Sequence, residues 1–528
     1  MASRTGVLGD KRAAMMEIEE RAQARVSAGW APASALAAYS KGARIGQGLA
    51  GRVDQQGSAP ETTMAFRIAS CTKSFTAAAV LVLRDRGLLH LDDDVRRYLP
   101  ELNVMGWAGG SDSTAGSDGT AMTLHMLLSM TAGLPTDDPW ADRQESMSHE
   151  DFELLMSDGV RLVRQPGSAY EYSNLGYAML GQVVERVSGV ACTTFIEREL
   201  LEPLGLDGTA FSKESVLTGI AAGTSSATGI ATGYRKKSSD SSAGVPDAQD
   251  AQAYGWTALP MTGPGVFSAI GGLFSTLDDL GRWASWLMDA FEVEAGPGPL
   301  SRESRLEMQT MHQMTEPVEA DATVNGYGYG LVVQQHGVHG TVVGHSGGYP
   351  GFSSHMRWHP GQGTAVIGFE NATYSKVGLA VRALLEDLLE WTPAAVSDAP
   401  NQEETEVLAS PEAPVVPWPE TVRAIAAVEE FIRSQTSVVR PDIFGPNVAQ
   451  DLPWDERRAG LDAALAAVGP LLDSTGDDST GDRPSERWET PAAVEWEMPA
   501  RDGSLRLRIT MTPIEPPRVQ LLEISWRP

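Results

Sequence analysis

Three short stretches carry residue types that can make and break an acyl bond: Ser70-Cys71-Thr72-Lys73, Tyr172-Ser173-Asn174 and His345-Ser346-Gly347-Gly348. In the first, a serine and a lysine stand three positions apart at the head of "SFTAAAVLVLRDRG", which reads as a helix. Residues i and i+3 of a helix share a face, with β-carbons about 5–6 Å apart, so the amine can reach the hydroxyl. An isolated lysine, with a pKa of about 10.4, is a poor base at neutral pH. Burial, a neighbouring cation and the positive end of a helix each disfavour its charged form, and a shift of about three units corresponds to about 4 kcal/mol. A lysine shifted that far can take the serine proton. S-x-x-K alone is a weak signal, and a helix cap is its ordinary explanation. Here it occurs once in the chain, and Lys73 points into a helix that is apolar nearly all round, where an unpaired amine costs stability.

About 100 residues later, in "GSAYEYSNLGYAMLGQ", Tyr172 offers a phenol that can share the proton held near Lys73 and deliver it to a leaving group. Taken alone, a tyrosine before a helix is a half-buried core residue. The third stretch lies on an expected strand. Its glycines let a substrate backbone run along the strand edge, and the N–H of Gly348 can join that of Ser70 in an oxyanion hole, where a donor is worth about 3–4 kcal/mol in the transition state.

Competing motifs lack their context. Gly344-His345-Ser346-Gly347-Gly348 fits the G-x-S-x-G elbow of α/β-hydrolases, but such an elbow must feed a helix, and here Tyr-Pro-Gly and another strand follow. Gly46 to Gly51 fits a dinucleotide fingerprint without the strand before it or the helix opening on its last glycine, so it reads as a glycine-rich edge strand. The pairs His336 with His339 and His355 with His359 lack a third ligand or a partnering glutamate, so no metal site is expected.

The elements that must position these groups follow from periodicity. An amphipathic helix is expected over 11–29, a hairpin over 33–40 and 43–53, and the buried helix after Lys73. From 88 to about 300 the pattern is helical, with Gly/Ser-rich loops at 106–120 and around 225–252. "TLHMLLSMTAGLP", "LGYAMLGQVVERVSG" and "FSTLDDLGRWASWLMDAF" each predict a helix, the last capped by Ser275 or Thr276. At 326 the pattern turns to alternation, and "GYGYGLVVQQ", "TVVGHSGG", "FSSHMRWHP" and "GTAVIGFEN" predict an antiparallel meander closed by a helix ending at 391. The two early strands and three or four late ones then build one antiparallel sheet around a long helical insertion. A Pro/Glu-rich linker over 393–418 separates a small unit, 419–528, with two helices and three strands turning at Asp502-Gly503. That unit contains no His, Cys or Lys and reads as a packing or interaction module.

Bulk properties exclude several classes. At 528 residues the chain exceeds a single core. A net charge of −28, with seven lysines, repels polyanions, so nucleic acid is not an expected partner. Cys71 and Cys192 are too few for a disulfide framework and are expected reduced. No apolar run reaches the length of a membrane span and the N-terminus lacks the apolar core of a secretory signal, so the expected location is cytoplasmic, with no membrane partner.

In order and context, S-x-x-K on a buried helix, Y-S-N after a helical insertion and H-S-G on a late strand resemble the serine β-lactamase and penicillin-binding-protein superfamily. "HSGGYPGFSS", "LLSMTAGLP" and "GGLFSTLDDLGRWA" are similar to the branch holding class C β-lactamases, D-aminopeptidases, a DD-carboxypeptidase and esterases. The resemblance spans roughly residues 12–391. It implies an α+β, β-lactamase/transpeptidase-like fold: an antiparallel sheet flanked by helices with an all-helical insertion, here over 1–392, plus the small C-terminal α+β domain. It also implies Ser70 as acylated nucleophile, Lys73 and Tyr172 as proton-transfer partners, Asn174 as a substrate-amide ligand and Gly348 as an oxyanion donor beside His345, Ser346 and Gly347, without metal or cofactor. His345 stands where many β-lactamases carry the lysine of K-T-G, which weighs against β-lactam hydrolysis. The expected activity is hydrolysis of a small ester, amide or D-amino-acid peptide. A DD-carboxypeptidase or β-lactamase, and a non-catalytic scaffold on the same fold, are the alternatives, and a homo-oligomer is left open.

Overall fold

Strand pairing between the two ends of the first 390 residues builds the centre of the molecule. The computed structural model describes residues 4–105, 121–237, 255–292, 296, 298–315, 323–337, 339–389, 415–434, 440, 442–472 and 486–527. The expected loop at 106–120, most of that around 225–252 and nearly all of the linker lie outside the described residues. A helix, α1 (Arg4–Ser27), precedes the hairpin β1 (Ala33–Ser40) and β2 (Ala43–Gly51). The late strands are β3 (Gln313–Met314), β4 (Val324–Tyr327), β5 (Val332–His336), β6 (Gly340–Tyr349), β7 (Phe352–His359) and β8 (Thr364–Glu370). They join the hairpin in one antiparallel sheet ordered β3-β4-β5-β6-β7-β8-β1-β2, with Leu36 of β1 opposite Gly368 of β8. Gly46 to Gly51 thus lie on the edge strand. A side chain at Gly48 would stand 2.1 Å from the Ile18 carbonyl oxygen, so glycine is what lets α1 lie directly on β2.

Two helical layers cover the sheet. The outer layer, α1 with α6 (Val377–Leu388), packs through Ile18, Ala22, Val377, Val381 and Leu384 onto Leu36, Ala38 and Val366. The inner layer holds α2 (Thr72–Asp85), α4 (Asn174–Ser188) and α5 (Leu277–Asp289), with the short α3 (Asp138–Ala141) at its rim. From Thr72 to Leu83 every residue of α2 is buried, as its all-round apolar sequence predicts, and Phe75 stacks on Trp283 of α5 at 4.0 Å. Of the two expected caps on α5 it is Thr276 that serves, accepting the Asp279 N–H.

Two segments differ from expectation. The run 123–135 gives a helix only over Leu124–Leu128, because Met130 takes a left-handed backbone (φ 59) and the Ser129 hydroxyl bonds back to the His125 carbonyl. The run 326–335 is two strands: Gly330 (φ 68) turns between β4 and β5, its backbone so close to α2 that a side chain would stand 2.5 Å from the Lys73 carbonyl oxygen.

At the C-terminus, α7 (Pro419–Ser434) and α8 (Trp454–Val468) cover an antiparallel sheet of β9 (Arg487–Thr490), β10 (Ala493–Ala500), β11 (Gly503–Met511) and β12 (Val519–Arg527), one strand more than the sequence pattern predicts. β9 has only four residues, too few for alternation to register. The turn at Asp502-Gly503 is present between β10 and β11. This unit has its own core around Trp496, Leu505, Leu507 and Ile509, into which Val163 of the preceding part inserts. Cys71 and Cys192 are buried free thiols. Among the described residues no helix is long and apolar enough to cross a membrane.

Candidate active site

A strained turn presents Ser70. The chain leaves the short strand Met64–Arg67, and Ala69 adopts φ 47, a left-handed conformation that a side chain disfavours. A single 3₁₀ turn, Ala69–Cys71, then runs into α2 and leaves Ser70 half-buried at the helix mouth.

Behind it, Lys73 is fully buried and all three of its ammonium protons are used: Nζ donates to Ser70 Oγ at 3.0 Å, to Asn174 Oδ1 at 2.6 Å and to the Ile270 carbonyl at 3.0 Å. Burial pushes its pKa down to about 8, against the pull of the Asp138, Asp142 and Asp137 carboxylates. At pH 7 about a tenth of the lysine is then free amine, far more than an ordinary lysine offers. The Tyr172 phenol lines the cleft with Ser70, near enough for the serine to pull its pKa down against the other influences on it, and its ring centre lies 5.1 Å from Lys73 Nζ. Burial and the Asp138 charge hold its pKa well above the usual phenol value, so it keeps its proton. Of the two groups beside Ser70, the amine is therefore the one suited to accept a proton and the phenol the one suited to give it.

Asn174 opens α4, where Ser173 caps the helix by accepting the Gly176 N–H. Its place is fixed by two carboxylates that the sequence reading did not single out. Asp137 accepts the backbone N–H of Asn174 (2.7 Å) and of Leu175 (2.9 Å), and Asp138 accepts Asn174 Nδ2 at 2.6 Å. Asn174 is thereby oriented with its carbonyl toward Lys73, a role beyond that of a substrate-amide ligand.

The third stretch lies on β6, and its two halves differ. Gly340 to Gly344 pair with β5 and Val343 to Tyr349 with β7, so that from His345 to Tyr349 the pairing is with β7 alone. The edge at His345-Ser346-Gly347-Gly348 is thus open beside Ser70. A side chain at Gly347 would stand 2.4 Å from the Ile68 carbonyl oxygen and 3.1 Å from the Ala69 β-carbon, so glycine lets the strand press against the turn that carries Ser70. His345 is buried between the Tyr327 hydroxyl, 3.0 Å from Nε2, and the Ser346 carbonyl at Nδ1. Its ring therefore carries hydrogen on Nδ1 and accepts from Tyr327 at Nε2. Burial, then the Lys73 charge, push its pKa down to about 3, so it is neutral at pH 7. Ser346 is exposed in mid-strand, and no helix follows it, so the elbow geometry is absent.

These groups share a cleft of about 620 Å³. Ser70, Tyr172, His345, Ser346, Gly347 and Gly348 line it, with Lys73 and Asn174 buried behind Ser70. Tyr170 and Tyr327, 5.8 Å apart, add an aromatic wall. Tyr374 closes the other side, its hydroxyl 2.6 Å from Asp142 Oδ2 and its ring where a Gly348 side chain would project.

Comparison with known proteins agrees with this architecture. The Beta-lactamase family profile matches residues 18–390. The chain belongs to the beta-lactamase family. Members of this superfamily are serine hydrolases, and the fold seen here is its β-lactamase/transpeptidase fold with an added C-terminal sheet unit. Among curated relatives of this beta-lactamase family chain, Penicillin-binding protein 4* of Bacillus subtilis is 26% identical over 309 residues, which take in 56% of this chain and 58% of that protein's length. Among solved structures, the octameric penicillin-binding protein homologue from Pyrococcus abyssi superposes with a TM-score of 0.57 at 19% identity over 98% of this chain and 100% of its own. A D-stereospecific amidohydrolase from a Streptomyces species gives 0.51 at 22% over 71% and 98%.

Proposed function

We propose that the protein is a serine hydrolase that cleaves a small ester, amide or D-amino-acid peptide through a Ser70 acyl-enzyme. The observation that carries this reading is the convergence on Ser70 Oγ of the Lys73 amine, at 3.0 Å, and the Tyr172 phenol. In its neutral form Lys73 takes the Ser70 proton as the oxygen attacks the substrate carbonyl. The Ser70 and Gly348 N–H groups receive the developing oxyanion. Tyr172 protonates the leaving group and is reprotonated from the Lys73 ammonium. Water then enters, gives a proton back along the same route and releases the acid, restoring Ser70. Asn174 holds Lys73 in place through its carbonyl, its amide hydrogens being engaged by Asp137 and Asp138.

One feature of the cleft supports this substrate class. With His345 neutral, the position beside Ser346 supplies no fixed charge for a β-lactam or C-terminal carboxylate, which favours esters, amides and D-amino-acid peptides over the DD-carboxypeptidase and β-lactamase readings. The D-stereospecific amidohydrolase similar in fold supports including D-amino-acid amides. We assign the chemistry to residues 1–392 and an accessory role to 419–528, joined by the linker 393–418. The octameric assembly of the Pyrococcus abyssi homologue makes a homo-oligomer the state to test, by light scattering.

The deciding experiment treats wild type, Ser70→Ala and Ser346→Ala with a fluorophosphonate and with p-nitrophenyl esters, D-alanine anilide and nitrocefin. Wild type and Ser346→Ala are expected to label and to turn over the first two substrates. Ser70→Ala is expected to lose labelling and about 10³-fold or more of turnover. An unlabelled, inactive wild type would favour the scaffold reading, and rapid nitrocefin turnover would return the β-lactamase one.

A further inference from the structure

The C-terminal unit contains no lysine, histidine or cysteine, yet one of its side chains reaches the segment that fixes Asn174. Gln520, on β12, is 1% exposed and has its amide fully engaged. Its Oε1 accepts the backbone N–H of Trp140 at 3.2 Å, and its Nε2 donates to the carbonyl of Thr136 at 2.9 Å and to that of Met511 in its own sheet at 2.8 Å. The contacts at 136 and 140 bracket Asp137 and Asp138, which hold the start of α4. Thr136 also donates its hydroxyl to the Glu171 carboxylate at 2.6 Å, and Glu171 lies next to Tyr172 in the chain. An amide with both hydrogens and its oxygen engaged between two units fixes distance and direction at once, which apolar contact does not.

We propose that Gln520 is a positioning residue for Asn174 and Tyr172: by pinning the 136–140 segment to the C-terminal sheet, it holds the asparagine carbonyl on Lys73 and the phenol on Ser70. Three other clasps join the two units, Arg143 to Asp451, Arg161 to Glu420 and Glu515, and Arg235 to Glu456. The last lies on another part of the interface and gives a control, since cutting it weakens the contact between units without touching 136–140. The geometric claim stands on the hydrogen bonds, and its consequence for rate rests on the serine-hydrolase reading above.

The test compares full-length wild type, Gln520→Met, Gln520→Glu and Arg235→Met. Methionine keeps the length and removes the amide, and glutamate keeps acceptors but faces the Thr136 carbonyl without a donor. Hydrogen exchange is read at the Asn174 and Leu175 amides, and the rate of fluorophosphonate labelling of Ser70 is read against pH. Both Gln520 variants are expected to exchange those two amides about tenfold faster and to label about tenfold more slowly, with Arg235→Met unchanged in both. The limb of the pH profile that belongs to Lys73 moves to lower pH in the Gln520 variants, because losing the asparagine carbonyl removes an acceptor that stabilises the ammonium. A general loss of stability would not move it. Unchanged exchange in the Gln520 variants, or equal effects in Arg235→Met, would overturn the proposal. A wild type that does not label would sink the hydrolase reading instead, and the exchange would still decide the geometric claim.

Discussion

The two parts of the chain bury polar groups in different ways. In the C-terminal unit the buried polar residues among those described are Thr421, Asn447, Thr490, Thr510, Thr512 and Gln520, with no charge among them, and its charged side chains meet nearer the surface. The larger part buries Arg25, Arg67, Lys73, Asp137, Asp142, Glu145, Asp279, Arg305 and Glu370. Even these differ among themselves. Arg25 forks onto Glu370, and Arg67 pairs with Glu145, so each cation meets a carboxylate directly and is neutralised on the spot. Lys73 instead meets a hydroxyl, an amide oxygen and a backbone carbonyl, with its carboxylates one shell further out. Arg305, buried against the Trp286 and Gly296 carbonyls, shows that neutral oxygens alone do not make a base; a lysine among neutral oxygens, unlike an arginine, becomes one within reach of neutral pH. That contrast separates a structural charge from a chemical one without reference to any relative.

The contrast is broken most strongly at Lys73. With a folded pKa of about 8, kcat/KM is expected to rise about tenfold per pH unit from pH 6 to 7.5 and to level off above 8, because only the unprotonated amine accepts the Ser70 proton. Lys73→Arg, which keeps the charge and cannot deprotonate, is expected to lose about 10³-fold and the limb with it. The same lysine has a signature in stability, measured as urea unfolding against pH. Its folded pKa lies below the unfolded value near 10.4, so below pH 8 the cost of burying the ammonium is fully present. It is relieved as pH rises from about 8 to 10.4, where the unfolded state binds the extra proton. A flat activity profile across pH 6–9 would remove Lys73 as the base. Tyr172→Phe comes next, at about 10²-fold or more in kcat, with the Lys73 limb retained, since the phenol donates a proton and does not set the base.

How much of this was legible in sequence follows from the range of each interaction. Ser70 with Lys73 is a local pattern, two residues three positions apart across a 3₁₀ turn and the start of α2, whose apolar sequence already implies burial of the amine. Tyr172 and the open half of β6 were legible only through their order along the chain. Asp137 and Asp138 were not legible at all: they sit in "LPTDDPW", an ordinary helix start, and their partner Asn174 lies 36–37 residues away beyond the helix His149–Asp158. The inter-unit role of Gln520 was equally hidden, because a glutamine on an alternating strand carries no sign of what lies opposite. The helix at 123–135 failed for a backbone reason, the left-handed Met130, which side-chain periodicity does not encode. Periodicity reports what is buried, and only coordinates report against what.

A smaller effect is expected at Gly347. An added methyl group would stand 2.2 Å from Ser354 Oγ and 2.4 Å from the Ile68 carbonyl oxygen. The hydroxyl can turn away, but the carbonyl belongs to the backbone that sets up the Ser70 turn. Gly347→Ala should therefore push the open edge of β6 away from Ser70 and lower kcat by about tenfold to a hundredfold, as expected for a displacement near 1 Å. Gly48→Ala offers the matching structural control. It meets the Ile18 carbonyl at 2.1 Å on the far edge of the sheet, so it should lower the melting temperature while the folded protein keeps its labelling rate.

The smallest effect on chemistry should come from Trp496, in the core of the C-terminal unit and 1% exposed. Truncation to alanine removes a large buried indole that packs among Leu505, Leu507 and Ile509, and costs about 3–5 kcal/mol. A separate, earlier unfolding step confined to residues 419–527, read by hydrogen exchange, would follow if that core is held apart from the larger one. Below that transition, Ser70 labelling should stay within about threefold of wild type, because Trp496 contacts none of the groups that meet at Ser70 and the Gln520 pin remains folded. Above it, the pin is lost and labelling should fall to the rate of Gln520→Met while the first 390 residues are still native. A single transition, with labelling lost only when the whole chain unfolds, would mean that the two cores are one cooperative unit, joined through Val163 and the arginine clasps more tightly than their separate packing implies.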